Sequence, residues 1–128
     1  MNFAEITKEE AIEKLSGYKK TSNEIFELLK QYGEAKGHKR SELKSKIEEL
    51  YSSVKQEAKE YYKQLSKVST AKNYITKALF GPAIDDIYVH ISSVAKNRVG
   101  SRDFESAVYN IGSYAGHWLG FLRNSKSE

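Results

Sequence analysis

The chain has 128 residues, which fits a single domain, and it contains no cysteine, which excludes disulfides and thiolate metal sites. Its formal charge of +4 is unevenly distributed. Residues 36–72 hold ten Lys or Arg against five Glu, whereas residues 1–35 hold five Lys against seven Glu and residues 73–128 hold six basic against five acidic residues. Charge asymmetry of this kind indicates a polyanionic partner.

Targeting signals are not recognisable in the sequence. The N-terminal MNFAEITKEE has neither the basic region nor the apolar segment of a signal peptide, and no apolar run is long enough to span a membrane. We therefore expect a soluble cytoplasmic protein with no membrane partner.

The first helix is predicted from a capping box and a regular apolar seam. Thr7 and Glu10 have the S/T-x-x-E spacing of a helix start. Apolar residues then recur at steps of three and four to about Glu34, which is typical of a helix packed along one face.

A second long helix follows a break at Gly37. Ser41 is its predicted N-cap, and its apolar seam continues almost to Ser69. Two long amphipathic helices joined by a short turn predict an antiparallel αα-hairpin over residues 1–68.

Shorter helices are predicted for residues 69–123. The first extends from about Ala71 and should end before Pro82, because residues that precede proline leave the α region. Pro82 suits the first turn of the next helix, which we expect to continue to Ala95.

The last predicted helix carries an apolar stripe from Phe104 to Leu122, and residues 124–128 form a tail. The sequence thus predicts an all-α bundle of four to five helices, built on the N-terminal hairpin, as one domain over residues 1–128.

A row of lysines on the second helix is the clearest functional pattern. This row consists of Lys55, Lys59, Lys63 and Lys67, which lie four residues apart, so that each like-charged pair costs about 0.2–0.5 kcal/mol. A row with this spacing winds slowly around the helix, which suits contact with a phosphate backbone. A solvated face is the alternative. The candidate nucleic-acid contacts are Lys39, Arg40, Lys44, Lys55, Lys59, Lys63 and Lys67.

Tyrosines accompany these lysines on the same helix. Tyr51, Tyr61 and Tyr62 could stack with bases, since lysines combined with aromatic rings are typical of single-strand grooves, or they could belong to the core. No base-reading motif is present, so binding to RNA or single-stranded DNA would be independent of sequence.

Glycines recur at steps of four on the last helix. Gly112, Gly116 and Gly120 reduce helix stability unless another backbone approaches closely, so we expect tight packing within the bundle. The alternative is a protein interface formed by these glycines, with Trp118 and Phe121 as aromatic anchors.

Motifs for catalysis or for cofactor binding are not recognisable. Asp86 and His90 share a helix face, but a metal site needs a third or fourth ligand. Gly-rich phosphate loops, nucleophile elbows and zinc-protease motifs are missing from the sequence. We therefore predict a non-enzymatic protein with no cofactor and no small-molecule substrate.

The later part of the chain resembles the small helical subunits of multisubunit CRISPR effector complexes. The resemblance lies in NYITKALFGPAIDDIYVHISSVAK and AVYNIGSYAGHWLGFL, at Tyr74, Ala78, Pro82, Ala83, Ile111, Gly112 and Tyr114. It implies a non-catalytic subunit for antiviral defence that stacks in more than one copy within a ribonucleoprotein complex. Such a subunit would hold crRNA–target duplex or displaced strand without reading its sequence.

Two functions follow as hypotheses. The first is a nucleic-acid-binding subunit of a larger assembly, with protein subunits and further copies of itself as partners. The second is a small helical protein-binding module, such as a phage-encoded inhibitor or a bacteriocin-immunity-type protein, which would use Trp118 and Phe121. Salt dependence distinguishes them, because phosphate binding weakens steeply with salt.

Overall fold

The computed structural model describes residues 5–68, 73–92 and 98–125, and these residues are mostly helical. The elements are α1 (Lys8–Glu34), α2 (Gly37–Lys63), α3 (Leu65–Val68), a π-helical segment (Ile75–Phe80), α4 (Gly81–Ser92) and α5 (Arg102–Asn124). The described part of the chain contains no strand, and the predicted all-α bundle is confirmed.

The four longer helices enclose one core. α1 packs against α2 and α5, and α4 packs against the same two helices, so the order around the bundle is α1, α2, α4, α5. Their apolar stripes meet in the centre, where Ile47, Ile87 and Phe104 are fully buried. Each amphipathic helix thus buries its stripe against two neighbours.

The predicted N-terminal hairpin is formed by α1 and α2, each 27 residues long. α1 begins with the predicted capping box. The Thr7 hydroxyl accepts from the Glu10 N–H, and the Glu10 carboxylate accepts from the Thr7 N–H, both over 3.1 Å. These two bonds satisfy N–H groups that a helix start otherwise leaves unpaired.

The predicted N-cap of α2, Ser41, is wrong, because the N-cap lies five residues earlier and the helix begins at Gly37. Gly37 has a φ of +61°, a left-handed conformation that glycine adopts without the steric cost of a Cβ. The chain can therefore reverse directly after α1. Lys36 becomes the N-cap residue, and Ser41 lies inside the helix.

The predicted helix end before Pro82 is also wrong. The π-helical segment continues directly into α4, and Gly81 has helical angles, with φ −57° and ψ −54°. Gly81 lacks the Cβ that would collide with the proline ring, and its N–H bonds to the Thr76 carbonyl oxygen, five residues earlier. This wider turn accommodates Pro82, which lies in the first turn of α4 as predicted.

α1 and α5 run antiparallel and lie close together near their centres. The Ser22 hydroxyl donates to the Val108 carbonyl oxygen over 2.8 Å. A Cβ at Gly112 would lie 2.7 Å from the same hydroxyl, so only glycine permits this approach without a shift of Ser22. Near the far end, Lys8 Nζ donates to the Ser125 carbonyl oxygen over 2.7 Å.

The predicted last helix is confirmed as α5. Its N-cap is Ser101, whose hydroxyl accepts from the Phe104 N–H over 3.1 Å. The predicted helix start near Ala71, the continuation to Ala95 and most of the tail, residues 126–128, lie outside the described residues.

Candidate nucleic-acid interface

The start of α2 combines positive charge with backbone N–H groups that no side chain caps. Lys36 is the N-cap residue, and Lys39 and Arg40 are the third and fourth residues of the helix. The first turn contains no acidic residue. Because a helix start carries partial positive charge, cations there are unfavourable by about 0.3–1 kcal/mol each. By contrast, α1 has Glu9 and Glu10 in its first turn. The start of α2 is therefore suited to an anion.

Tyr32 connects the start of α2 to the start of α5. Arg40 Nη1 donates to the Tyr32 carbonyl oxygen over 2.7 Å, and the guanidinium carbon lies 3.8 Å from the centre of the Tyr32 ring. Gly100, just before α5, lies against the same ring, with a Cβ position 3.5 Å from Tyr32 Cε1. Arg40, predicted as a phosphate contact, is thus already bound to Tyr32.

Sequence reasoning missed Tyr32 as a contact point, because it placed this residue in the apolar seam of α1. The ring is half-buried and does pack against the core. Its additional contacts with Arg40 and Gly100 depend on how three segments meet, so the spacing within α1 contains no signal for them.

Three of the predicted phosphate contacts are exposed and available. Lys39, Lys44 and Lys59 form no side-chain hydrogen bond or ion pair with any other described residue. Lys39 and Lys59 are nevertheless about 30 Å apart along the axis of α2, at 1.5 Å per residue. The structure therefore places Lys39 and Lys44 near the start of α2 and Lys59 near its end.

The other lysines of the predicted row have different environments. Lys55 is half-buried, and its Nζ lies 6.0 Å from the centre of the Tyr51 ring. Lys63 forms an ion pair with Glu60 over 3.7 Å. Lys67 lies in α3, and its side chain is outside the described residues. Because each step of four residues rotates the side-chain direction by about 40° around the helix axis, the side chains of Lys55 and Lys63 point in directions about 80° apart.

Two of the three tyrosines on α2 belong to the core, which confirms the alternative interpretation for them. Tyr51 is fully buried and Tyr61 is 7% exposed. Burial raises the pKa of Tyr51 to about 12 and also raises the pKa of Tyr61. Tyr62 is exposed, but its ring stacks on Tyr88 of α4 with 4.6 Å between centres. α2 thus provides lysines without a set of unstacked aromatic rings.

Glu57 anchors α2 to α1. Lys14 Nζ lies 3.1 Å and 3.2 Å from its two carboxylate oxygens, and the Tyr18 hydroxyl donates to the same carboxylate over 2.5 Å. Burial raises the pKa of Tyr18, and Glu57 raises it further. Burial alone would lower the pKa of Lys14, but the hydrogen bond and charge of Glu57 reverse the direction. Together with Gly17, these residues line a cleft of about 230 Å³.

The three glycines of α5 have unequal surroundings. Gly112 faces Ser22 at the close approach of α1 and α5, in agreement with the expected packing within the bundle. A Cβ at Gly116 would lie 3.8 Å from the side chain of Lys19, an ordinary contact distance. At Gly120, a Cβ would meet nothing within 4 Å. Only Gly112 is therefore required by a close helix contact in the described structure.

Trp118 and Phe121 lie in what we call the α4–α5 aromatic surface, formed by His117, Trp118 and Phe121. Trp118 Nε1 donates to a carboxylate oxygen of Asp86 over 2.7 Å, which fixes the indole against α4. The Trp118 and Phe121 ring centres are 5.3 Å apart, and His117 packs edge-on to Phe121 at 5.0 Å. Phe121 is 51% exposed. This surface therefore combines a hydrogen-bonded tryptophan with an exposed phenylalanine.

Asp86 and His90 form hydrogen bonds within the bundle. His90 Nδ1 lies 2.6 Å from the Asp86 carbonyl oxygen, which can only accept, so Nδ1 carries the proton. In the neutral imidazole, Nε2 accepts from the Tyr114 hydroxyl over 3.0 Å. Within the described ranges, no cluster of three or more His, Asp or Glu side chains could hold a metal ion.

The chain matches no protein-family model, no curated protein and no solved structure. The resemblance to CRISPR small subunits therefore stays a prediction. None of the described helices combines the length and the hydrophobicity that a membrane crossing requires.

Proposed function

We propose that the protein is a non-catalytic subunit that binds the nucleic-acid backbone, independently of sequence, at the end of the bundle where α2 begins. The observation that carries this proposal is the start of α2, where Lys36 and Lys39 accompany backbone N–H groups that no side chain caps and no acidic residue occurs in the first turn. These cations oppose the helix dipole, and a bound phosphate would turn the same arrangement into a favourable one.

The neighbouring residues favour contact with the phosphate backbone of a nucleic acid rather than with the edges of its bases. Lys44 follows Lys39 on α2, is exposed, and has no partner among the described residues. Lysine ammonium groups and backbone N–H groups bind phosphate oxygens, and such contacts carry no sequence information. The affinity should therefore depend strongly on salt and weakly on sequence.

The test is fluorescence anisotropy with RNA and DNA strands and duplexes, from about 50 to about 200 mM salt. The variant Lys39→Glu/Lys44→Glu should bind much more weakly, with a salt slope smaller by about two, because two phosphate contacts are lost. The control Lys20→Glu/Lys77→Glu changes the net charge equally at exposed positions elsewhere. Equal losses in both variants, or no binding by the wild type, would contradict the proposal.

The resemblance to CRISPR small subunits supports a place in a ribonucleoprotein assembly, since such subunits hold nucleic acid in more than one copy. Sedimentation of the protein with increasing lengths of RNA tests this part. Stepwise addition of copies along a longer strand is expected, whereas a single copy at every length would contradict it.

Protein docking is a second candidate function, favoured by the α4–α5 aromatic surface. Phe121 is about half exposed beside a tryptophan that Asp86 fixes, and such rigid aromatic residues are typical centres of protein interfaces. Trp118 is the only tryptophan, so its fluorescence would report a partner docked there. The affinity of docking at this surface should change little as the salt concentration rises, and Phe121→Ala should abolish docking.

A further inference from the structure

An open groove lies between α1 and α5. Phe26 of α1 forms one wall, and Arg102 and Tyr109 of α5 lie on the other. The groove has a volume of about 470 Å³, and its remaining lining residues are Glu105, Ser106 and Asn110. Phe26 is 36% exposed and Tyr109 is 63% exposed, the highest value among the large apolar side chains of the described residues. Neither ring stacks on another described ring.

The groove opens at the same end of the bundle as the start of α2. Tyr32 is in contact with Arg40 of α2 and with Gly100, two residues before Arg102. At 1.5 Å per residue, Phe26 lies about 9 Å from Tyr32 along α1. A single strand of several nucleotides, held by phosphate contacts at the start of α2, can therefore pass Tyr32 to the groove.

An unpaired arginine and two exposed aromatic rings at the groove favour a ligand that combines anionic groups with flat rings. The Arg102 guanidinium forms no hydrogen bond or ion pair with any described residue, although Glu105 is only three positions away. Lys30 is exposed one helical turn after Phe26, and so lies on the same side of α1. Among the residues that line the groove, Arg102 is the cation and Glu105 the acid, and because the Arg102 guanidinium is not paired with that carboxylate it can contact an anion.

We propose that this groove is a base-stacking site for single-stranded nucleic acid, with Phe26 and Tyr109 as stacking rings and Arg102 as a phosphate or stacking contact. The inference rests on the proposed function, since the strand is held by phosphate contacts at the start of α2. Stacking on aromatic rings tolerates any base, which agrees with binding that does not depend on sequence. Duplex bases are already stacked, so the groove selects single strands.

The test compares three DNA probes of equal length by anisotropy: an oligothymidylate, a duplex, and an abasic strand that retains every phosphate. Tyr109→Ala and Phe26→Ala should each weaken binding of the oligothymidylate by about 5- to 150-fold, the range for one lost stacking contact. Binding of the abasic strand and the duplex should change little. Tyr109→Phe should retain affinity, and Val89→Ala, at an exposed apolar side chain of α4, should not reduce it.

The outcomes separate this inference from the proposed function. If Tyr109→Ala weakens the abasic strand and the oligothymidylate equally, or weakens neither, the stacking site is refuted while phosphate binding stands. If the wild type binds no probe, both proposals are refuted. If Tyr109→Ala instead abolishes a concentration-dependent dimer, the groove is occupied by a second copy and the stacking site is refuted.

Discussion

Replacing Lys39 by Glu should stabilise the fold while weakening nucleic-acid binding. Lys39 is the third residue of α2, and at the same position of α1 the Glu10 carboxylate accepts from the N–H of the N-cap residue. A carboxylate at position 39 can make the corresponding bond to the N–H of Lys36. It also replaces an unfavourable cation near the helix start by a favourable anion.

The magnitude follows from these two charge changes. Removing the lysine and adding the carboxylate are each worth about 0.3–1 kcal/mol, so the free energy of unfolding should rise by about 1 kcal/mol. For a chain of this length, that rise corresponds to an increase of about 4 °C in Tm. The same change removes one phosphate contact, so binding should weaken and its salt slope should fall by about one.

Urea unfolding followed by circular dichroism gives the stability, and anisotropy with a DNA duplex gives the affinity. Lys20→Glu is the matched control, because it lies on the exposed face in the middle of α1. It should change the free energy of unfolding by less than about 0.5 kcal/mol. If Lys39→Glu is destabilising, the description of the α2 start is wrong. If it stabilises without weakening binding, this end of α2 does not contact phosphate.

The remaining predictions concern stability and are measured by urea unfolding. Gly112→Ala should lower the free energy of unfolding by about 1–3 kcal/mol, since the new methyl group meets Ser22. Gly120→Ala should raise it by about 0.5–1 kcal/mol, because nothing lies near its new methyl group. Equal effects of the two changes would refute the close approach of α1 and α5 at Gly112. Tyr51→Phe should raise stability by about 1 kcal/mol, because the buried Tyr51 hydroxyl has no partner among the described residues, and Tyr18→Phe should lower it by about 1 kcal/mol through loss of a hydrogen bond. Because the pKa of Tyr51 is raised from 10.0 to about 12, the unfolded chain loses this proton first, and stability should fall as pH rises from 10.0 to about 12. Tyr51→Phe should reduce that fall. If the free energy of unfolding depends on pH equally in the variant and the wild type, the raised pKa of Tyr51 is not its cause.

The helices could be predicted from the sequence because the apolar residues of each long helix recur at regular steps of three and four. Thr7 and Glu10 define the start of α1 by a local bond that needs no tertiary contact. At the start of α2, two local signals compete. Ser41 is a good N-cap residue, but the left-handed Gly37 lets the helix start earlier, and the choice depends on where α1 ends.

The candidate site was harder to predict because helical spacing does not show which aromatic residues are buried. Tyr61 and Tyr62 are neighbours in sequence, yet Tyr61 is in the core and Tyr62 faces outward. Phe26 and Tyr109 share a groove although they are far apart in the chain. The one available signal was that neither residue belongs to the apolar seam of its helix, which marks an aromatic side chain left at the surface.

The dipole of α2 gives Lys39, near the start of the helix, and Lys63, in its last turn, opposite effects on stability. Lys63 lies in the last turn of α2, where a cation is favourable, and it pairs with Glu60. Its charge therefore has a structural explanation that needs no ligand. Lys39 has the opposite relation to the dipole and no partner among the described residues, so its charge lowers stability unless an anion is bound. The excess charge of residues 36–72 thus points to the start of α2, beside Tyr32 and the groove.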